Sequence, residues 1–306
     1  TPEIEIALYE YGSYMLYKGD YIRQITPLTV DLDLISKELF ALTTSGSEEY
    51  CGTVIQRAVK ELEWGQNEAD MKLVYIAGNE EFTQGSVSYK TAIADALKKN
   101  IFVNTIHCGD EEIGVRDYWK DAALRGNGKF FNINADATVR AIKTPFDPQI
   151  ILCNNKLNDT YISYGSTGRE RKMNQIAQDK NAGTISSANY AERAVSKSGS
   201  AYKNTSWDLV DKMKEDQNVL SSIKKDELPQ ELQNKSTEEI KSIITQKEKE
   251  RTAIQKEIAE LAIKRQAYIE EQLKKEGDDS GDDLGKAITS SILTFANLKG
   301  YTVEAE

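Results

Sequence analysis

Histidine is almost missing from this chain. Of 306 residues only His107 is one, so a Ser-His-Asp triad would have to be built on it, and no G-x-S-x-G elbow is there to supply the serine. His107 stands beside Cys108 near the end of a strand-like run. Adjacent strand residues point to opposite faces, so the two would not converge as a catalytic pair, and His107 is expected to be structural. Cysteine is scarce too: Cys51, Cys108 and Cys153 lie far apart with no C-x-x-C. That removes the sequence signals for a zinc or redox site and leaves the reading of small buried hydrophobes. No run approaches the eighteen or more apolar residues of a membrane span. Positive charge is in deficit, with a net charge of -10 and a pI near 5.0, so a basic nucleic-acid-binding stripe is not expected. The phosphate-cradling spacing is absent as well. GSTGRERK, residues 165–172, has glycine, hydroxyl and basic residues in the wrong order, and Arg169, Arg171 and Lys172 read as a solvated helix start. DDSGDD lacks the alternate acids of a calcium loop, and EGDDSGDD, 276–283, reads as a solvated acidic linker.

What is present is an alternation of strands and helices. Leu73 to Ala77 are apolar or aromatic without a break, which predicts a central strand buried on both faces. Strands are also expected at 4–9 (IEIALY), at 21–26 (YIRQIT, an antiparallel edge strand paired to the first), at 101–106 and at 129–133. Between them fall helical stripes: Leu32, Ile35, Leu39 and Leu42; Cys51, Val54, Ile55, Ala58, Val59 and Leu62; Tyr89, Ile93, Ala96 and Leu97; and Tyr118, Trp119, Ala122 and Ala123. This order predicts a doubly wound, mostly parallel α/β sheet over 1–142.

Past Thr144-Pro145 the strands fade. Polar helices are expected near 148–158, 168–182 and 187–203, then one at Trp207, Val210 and Met213 on a Ser or Thr cap. Ser236-Thr-Glu-Glu239 is a capping box that opens a long helix running to about Lys275. Ile240, Ile244, Ile254, Ile258, Leu261 and Tyr268 form its seam, which Lys247, Arg251 and Arg265 interrupt. An imperfect heptad of this kind is expected as an antiparallel helical hairpin packed on an earlier helix, in preference to a free coiled coil. The helical extension thus spans 143–275, and 276–306 is linker plus a terminal helix near 284–298.

Two acid-bearing turns could carry chemistry: Gly46-Ser47-Glu48-Glu49, and Gly78-Asn79-Glu80-Glu81 after the predicted central strand. Ligands bind beyond the carboxyl ends of strands in an open parallel sheet, and oxygen donors of this type suit Mg²⁺, Ca²⁺ or Mn²⁺. The competing reading is that acids in a first helical turn only complement the helix dipole.

VYIAGNEEFTQG, VNTIHCGDEEIGVRDYWKDAAL and GKFFNINAD together resemble the von Willebrand factor type A (VWA) domain over residues 3 to about 135, in particular a bacterial subgroup with a helical C-terminal extension. TYISYGSTGRERK, AERAVSK and WDLVD are similar to that extension. The resemblance implies a Rossmann-like fold with a metal-ion-dependent adhesion site and an exported, periplasmic or cell-surface, bacterial protein. The family's D-x-S-x-S loop has no counterpart here. Its threonine position falls at Glu48 or Glu49 and its aspartate position at Asn79, with Glu80 beside it. Thr1-Pro2 followed at once by a strand points to a processed protein or a missing first strand upstream. In the full-length protein the site would take Mg²⁺ or Ca²⁺; Glu48, Glu49, Asn79 and Glu80 alone are too few to hold it well. The function expected is a non-enzymatic binding module for a protein partner. The alternatives are a metal-dependent hydrolase on the same sheet, and a helical assembly protein.

Overall fold

The structure is a computed structural model and describes residues 3–43, 46–133, 142–275 and 284–301. In chain order the first elements are β1 (Ile6–Tyr11), β2 (Ile22–Thr29), α1 (Leu32–Ala41), α2 (Cys51–Glu61), β3 (Lys72–Gly78), α3 (Tyr89–Lys98), β4 (Ile101–Cys108), α4 (Glu111–Arg116), α5 (Trp119–Arg125) and β5 (Asn127–Ile133). Helices follow: α6 (Asp147–Asn158), α7 (Gly168–Ile185), α8 (Ser187–Ser198), α9 (Leu209–Glu215), α10 (Thr237–Lys275) and α11 (Leu284–Leu298). The boundaries expected at 142 and 275 are divisions of sequence. Among the described residues the contacts gather 7–28, 42–43, 46–133 and 284–301 into a sheet unit, and 3–6, 29–41 and 142–275 into a helical unit. The acidic stretch 276–283 lies outside the described residues.

In the sheet unit β1 and β2 form a two-stranded sheet. Gly12 N–H donates to the Tyr21 carbonyl, Glu10 faces Arg23 and Tyr9 faces Gln24; partners fall along one strand as they rise along the other, so the pair is antiparallel. The first strand sits two residues later than its apolar letters suggest, because Tyr9 and Tyr11 pack against the core while Ile4 stays exposed. A second sheet, in the order β3-β4-β5, is parallel throughout. Its centre is β4, buried along most of its length. β3, expected as the central strand buried on both faces, is an edge strand among the described residues, half-buried for the most part and with Ala77 exposed. Five apolar residues in a row report that both faces are covered to some degree, and carry no information about a strand's edges. Helices cover both faces. Val54, Ile55, Ile93, Val103 and Trp119 share one core, whereas Phe102 and Asn104, pointing the other way, meet Phe295 and Ser291 of α11. At β5 only glycine fits position 128, where a Cβ would stand 2.0 Å from the Val103 carbonyl oxygen; the β4–β5 register slips there.

The helical unit is organised by α10. Its capping box forms as written: the Ser236 N–H donates to Glu239 Oε2 at 2.7 Å and the Glu239 N–H to Ser236 Oγ at 3.2 Å. Ile240, Ile244 and Ile258 are buried, and so are Arg251 and Arg265, the residues that break the seam. Arg251 Nη1 reaches Asp208 at 2.8 Å and Asp211 at 2.6 Å, and its guanidinium lies 4.0 Å over the Tyr161 ring. Arg265 pairs with Asp147 at 2.9 Å and with Glu192. Partners of α6 and its flanks rise from Phe146 through Asp147 and Gln149 to Thr160 as those of α10 fall from Tyr268 through Arg265 and Glu257 to Arg251. The two helices therefore run antiparallel, and α10 lies on earlier helices as expected of a packed helix. The cap of α9 is Asp208, which accepts from the Asp211 N–H at 2.9 Å, and not a Ser or Thr. Nor are Arg171 and Lys172 merely solvated: Arg171 pairs with Asp31, and Lys172 donates to the Tyr161 carbonyl at 2.6 Å.

Candidate functional site

The two acid-bearing turns meet at one rim of the sheet unit, beyond the carboxyl end of β3. Glu49 Oε2 accepts from the backbone N–H of Asn79 at 3.1 Å and of Glu80 at 3.3 Å. Gly78 allows this approach, since a Cβ there would lie 2.1 Å from that oxygen and 2.8 Å from the Tyr11 hydroxyl. The Glu49 N–H in turn donates to Gln84 Oε1 at 2.8 Å, and Glu48 bridges antiparallel to Gly12. Tyr11 Oη donates to the Ala77 carbonyl at 2.6 Å. Glu80 gives its carbonyl to Trp119 Nε1 at 2.9 Å. Both turns are thereby tied to the ends of β1 and β3 and to α5.

Burial sets the protonation of this cluster. It pushes the Glu49 carboxyl up, against the two amide donors that favour its charged form. It raises the Cys51 thiol, with the Glu49 charge adding to it, and the Cys108 thiol in the same way. Tyr11 is pushed well above its ordinary value by burial. These thiols are poor thiolates, as expected of buried cysteines.

The structure therefore brings Glu48, Glu49, Asn79 and Glu80 together. One oxygen of Glu49 is already engaged by two amides. Among the described residues no group of three or more His, Cys, Asp or Glu side chains is arranged to hold a metal ion. The four side chains carry seven oxygens between them, of the carboxylate and amide type that Mg²⁺ and Ca²⁺ take.

His107 is 1% exposed. Asn132 donates through Nδ2 to the Gly109 carbonyl at 2.9 Å, which turns its Oδ1 to His107 Nδ1 at 2.9 Å. Nδ1 therefore donates to that oxygen, and Nε2 is buried with no hydrogen-bond partner among the described residues. Gly114 closes over the ring: a Cβ there would be 2.6 Å from His107 Cγ. Tyr11, Gln84 and Trp119 were not legible as site residues, Trp119 reading only as part of a helical stripe, because each acts through one atom reaching a distant backbone group; only the G-N break at Gly78 hinted at a close approach. Within the helical unit there are open depressions of 510 and 460 Å³, one beside Ile243 and Gln246, the other beside Met213 and Lys241.

No family model matches the chain, and neither a curated protein nor a solved structure matches it.

Proposed function

We propose that the chain is a non-enzymatic protein-recognition module, built on a doubly wound α/β domain of VWA type with a degenerate metal-ion-dependent adhesion site, from an exported bacterial protein. One observation carries this reading: Glu49 bonds to the backbone of Asn79 and Glu80, so the turns that resemble the family's ligand loops do share one rim. What supports the degeneracy is that Glu49 spends an oxygen on backbone amides and Asn79 offers a neutral amide. The partner surface is the rim itself. Partner binding by the wild-type chain and by Glu49→Ala, each with and without EDTA, tests this. Loss in the variant supports the rim; equal binding by both proteins removes it; indifference to EDTA removes the cation alone.

One feature favours a hydrolase, the second reading: burial raises the Glu49 carboxyl, as a general base near neutral pH requires. Ester or phosphate turnover that disappears in Glu49→Gln would establish it, and turnover unchanged in that variant would end it.

A further inference from the structure

The rim carries more exposed apolar surface than its acids suggest. Tyr14 and Met15, in the 3-10 turn Tyr14–Gly19, are 57% and 86% exposed. The turn is fixed to the rim by the Tyr14 hydroxyl, 3.3 Å from Ser47 Oγ, and by Gly46, whose close approach to Gly12 leaves no room for a Cβ. From Ser47 the contacts run through Glu49 to Asn79 and Glu80. The Phe82 N–H then reaches the Asp117 carbonyl at 3.0 Å. There Ile113, Val115 and Tyr118 are exposed as well, Tyr118 with φ 72 in the left-handed region, a conformation rare for a bulky residue. Along residues 14–19, 46–49, 78–82 and 109–118 the sequence places eight carboxylates against two cations, Lys18 and Arg116. Arg116 is paired to Asp117 at 2.9 Å.

Large apolar side chains left in water among one sign of charge mark a recognition surface, and the charge selects what can sit on it. An acidic partner would be repelled by this excess of carboxylates. We propose that the occupant of this rim is a cationic protein segment with at least one large apolar side chain, bound directly and without metal. The inference rests on the rim being the recognition surface and adds the partner's chemistry. Its apolar side chain packs against Met15 or Val115, and its lysines or arginines face Glu48, Glu81, Asp110 and Glu112.

The test uses the full chain and three short peptide amides: lysine-rich with one central phenylalanine, lysine-rich with serine in its place, and glutamate-rich with the phenylalanine. Amide chemical shifts locate each, and fluorescence anisotropy gives affinity. The lysine–phenylalanine peptide is expected to move the amides of residues 14–15, 46–49, 79–82 and 110–118, with EDTA making no difference. Replacing its phenylalanine, or introducing Met15→Ser or Val115→Ser, is expected to weaken binding on the order of ten-fold, the scale of one buried apolar side chain. Binding of the glutamate peptide at the rim, with or without Mg²⁺, would overturn the cationic partner and leave the rim standing. Shifts from the lysine peptides centred on α10 would overturn both.

Discussion

At Glu49 the same side chain faces two requirements. The amides of Asn79 and Glu80 need an acceptor, and burial disfavours a charge. Glutamine meets both, because its Oε1 accepts from the amides without ionising. Glu49→Gln is therefore expected to match or exceed the wild type in stability at neutral pH, whereas Glu49→Ala, which leaves two donors unpaired, costs about 1–3 kcal/mol in chemical denaturation. A folded pKa above the unfolded value near 4.3 means that the folded state binds more protons, so this group's cost is absent below the unfolded value and sets in as pH rises through the folded one. Asp179 has the opposite sign. Burial raises its carboxyl, but Lys197, with Nζ at 2.8 Å, together with Arg193 and Asn158 outweighs that and holds it below the ordinary value. Its contribution is present above the unfolded carboxyl value and is lost as pH falls through the folded one. Asp179→Asn would strand the buried Lys197 ammonium and leave Arg193 with Asp33 as its remaining carboxylate, an expected loss of about 3–5 kcal/mol by urea denaturation. The sequence disclosed Glu49 as an acid in a turn. That the acid points inward and serves backbone depends on Gly78 and Tyr11 arriving from two strands, which no local pattern records.

Elements show a similar split between what repeats locally and what pairs at a distance. The start of α10 was legible to the residue because a capping box is a contact within four residues, and Ser236→Ala is expected to cost about 1 kcal/mol. Its apolar seam was legible too: Ile258 is fully buried, and Ile258→Ala is expected to cost about 2–5 kcal/mol in the same assay. The arginines that interrupt the seam read as flaws, although each ends on carboxylates from other helices, so they anchor α10 where apolar spacing fails. The rank of β3 was misjudged for a related reason. Side-chain apolarity describes the faces of a strand, and a strand's place in the sheet is decided by backbone partners that lie elsewhere in the sequence. α4 was missed because six residues hold less than two turns of apolar period; its one local mark is Asp110, which accepts from the Ile113 N–H at 3.1 Å.

Over the whole molecule, chain order and spatial order diverge. α1 lies in sequence among the α/β elements, yet Asp33 on it bonds to Arg193 and to the Tyr202 hydroxyl, both at 2.5 Å, within the helical unit. A fragment of residues 142–275 alone is expected to be destabilised, and adding a peptide of residues 29–41 should restore hydrogen-exchange protection to α8; protection unchanged by the peptide would count against this packing. The two turns of the rim are joined by one bond set, and the pH titration of the Asn79 and Glu80 amide resonances reads it directly. Both amides are expected to titrate together with the Glu49 carboxyl, at a midpoint above the ordinary glutamate value near 4.3, and to stop doing so in Glu49→Gln. Amides that stay flat with pH, or that titrate unchanged in the variant, would show that the two turns are not joined, and the recognition surface would lose its foundation.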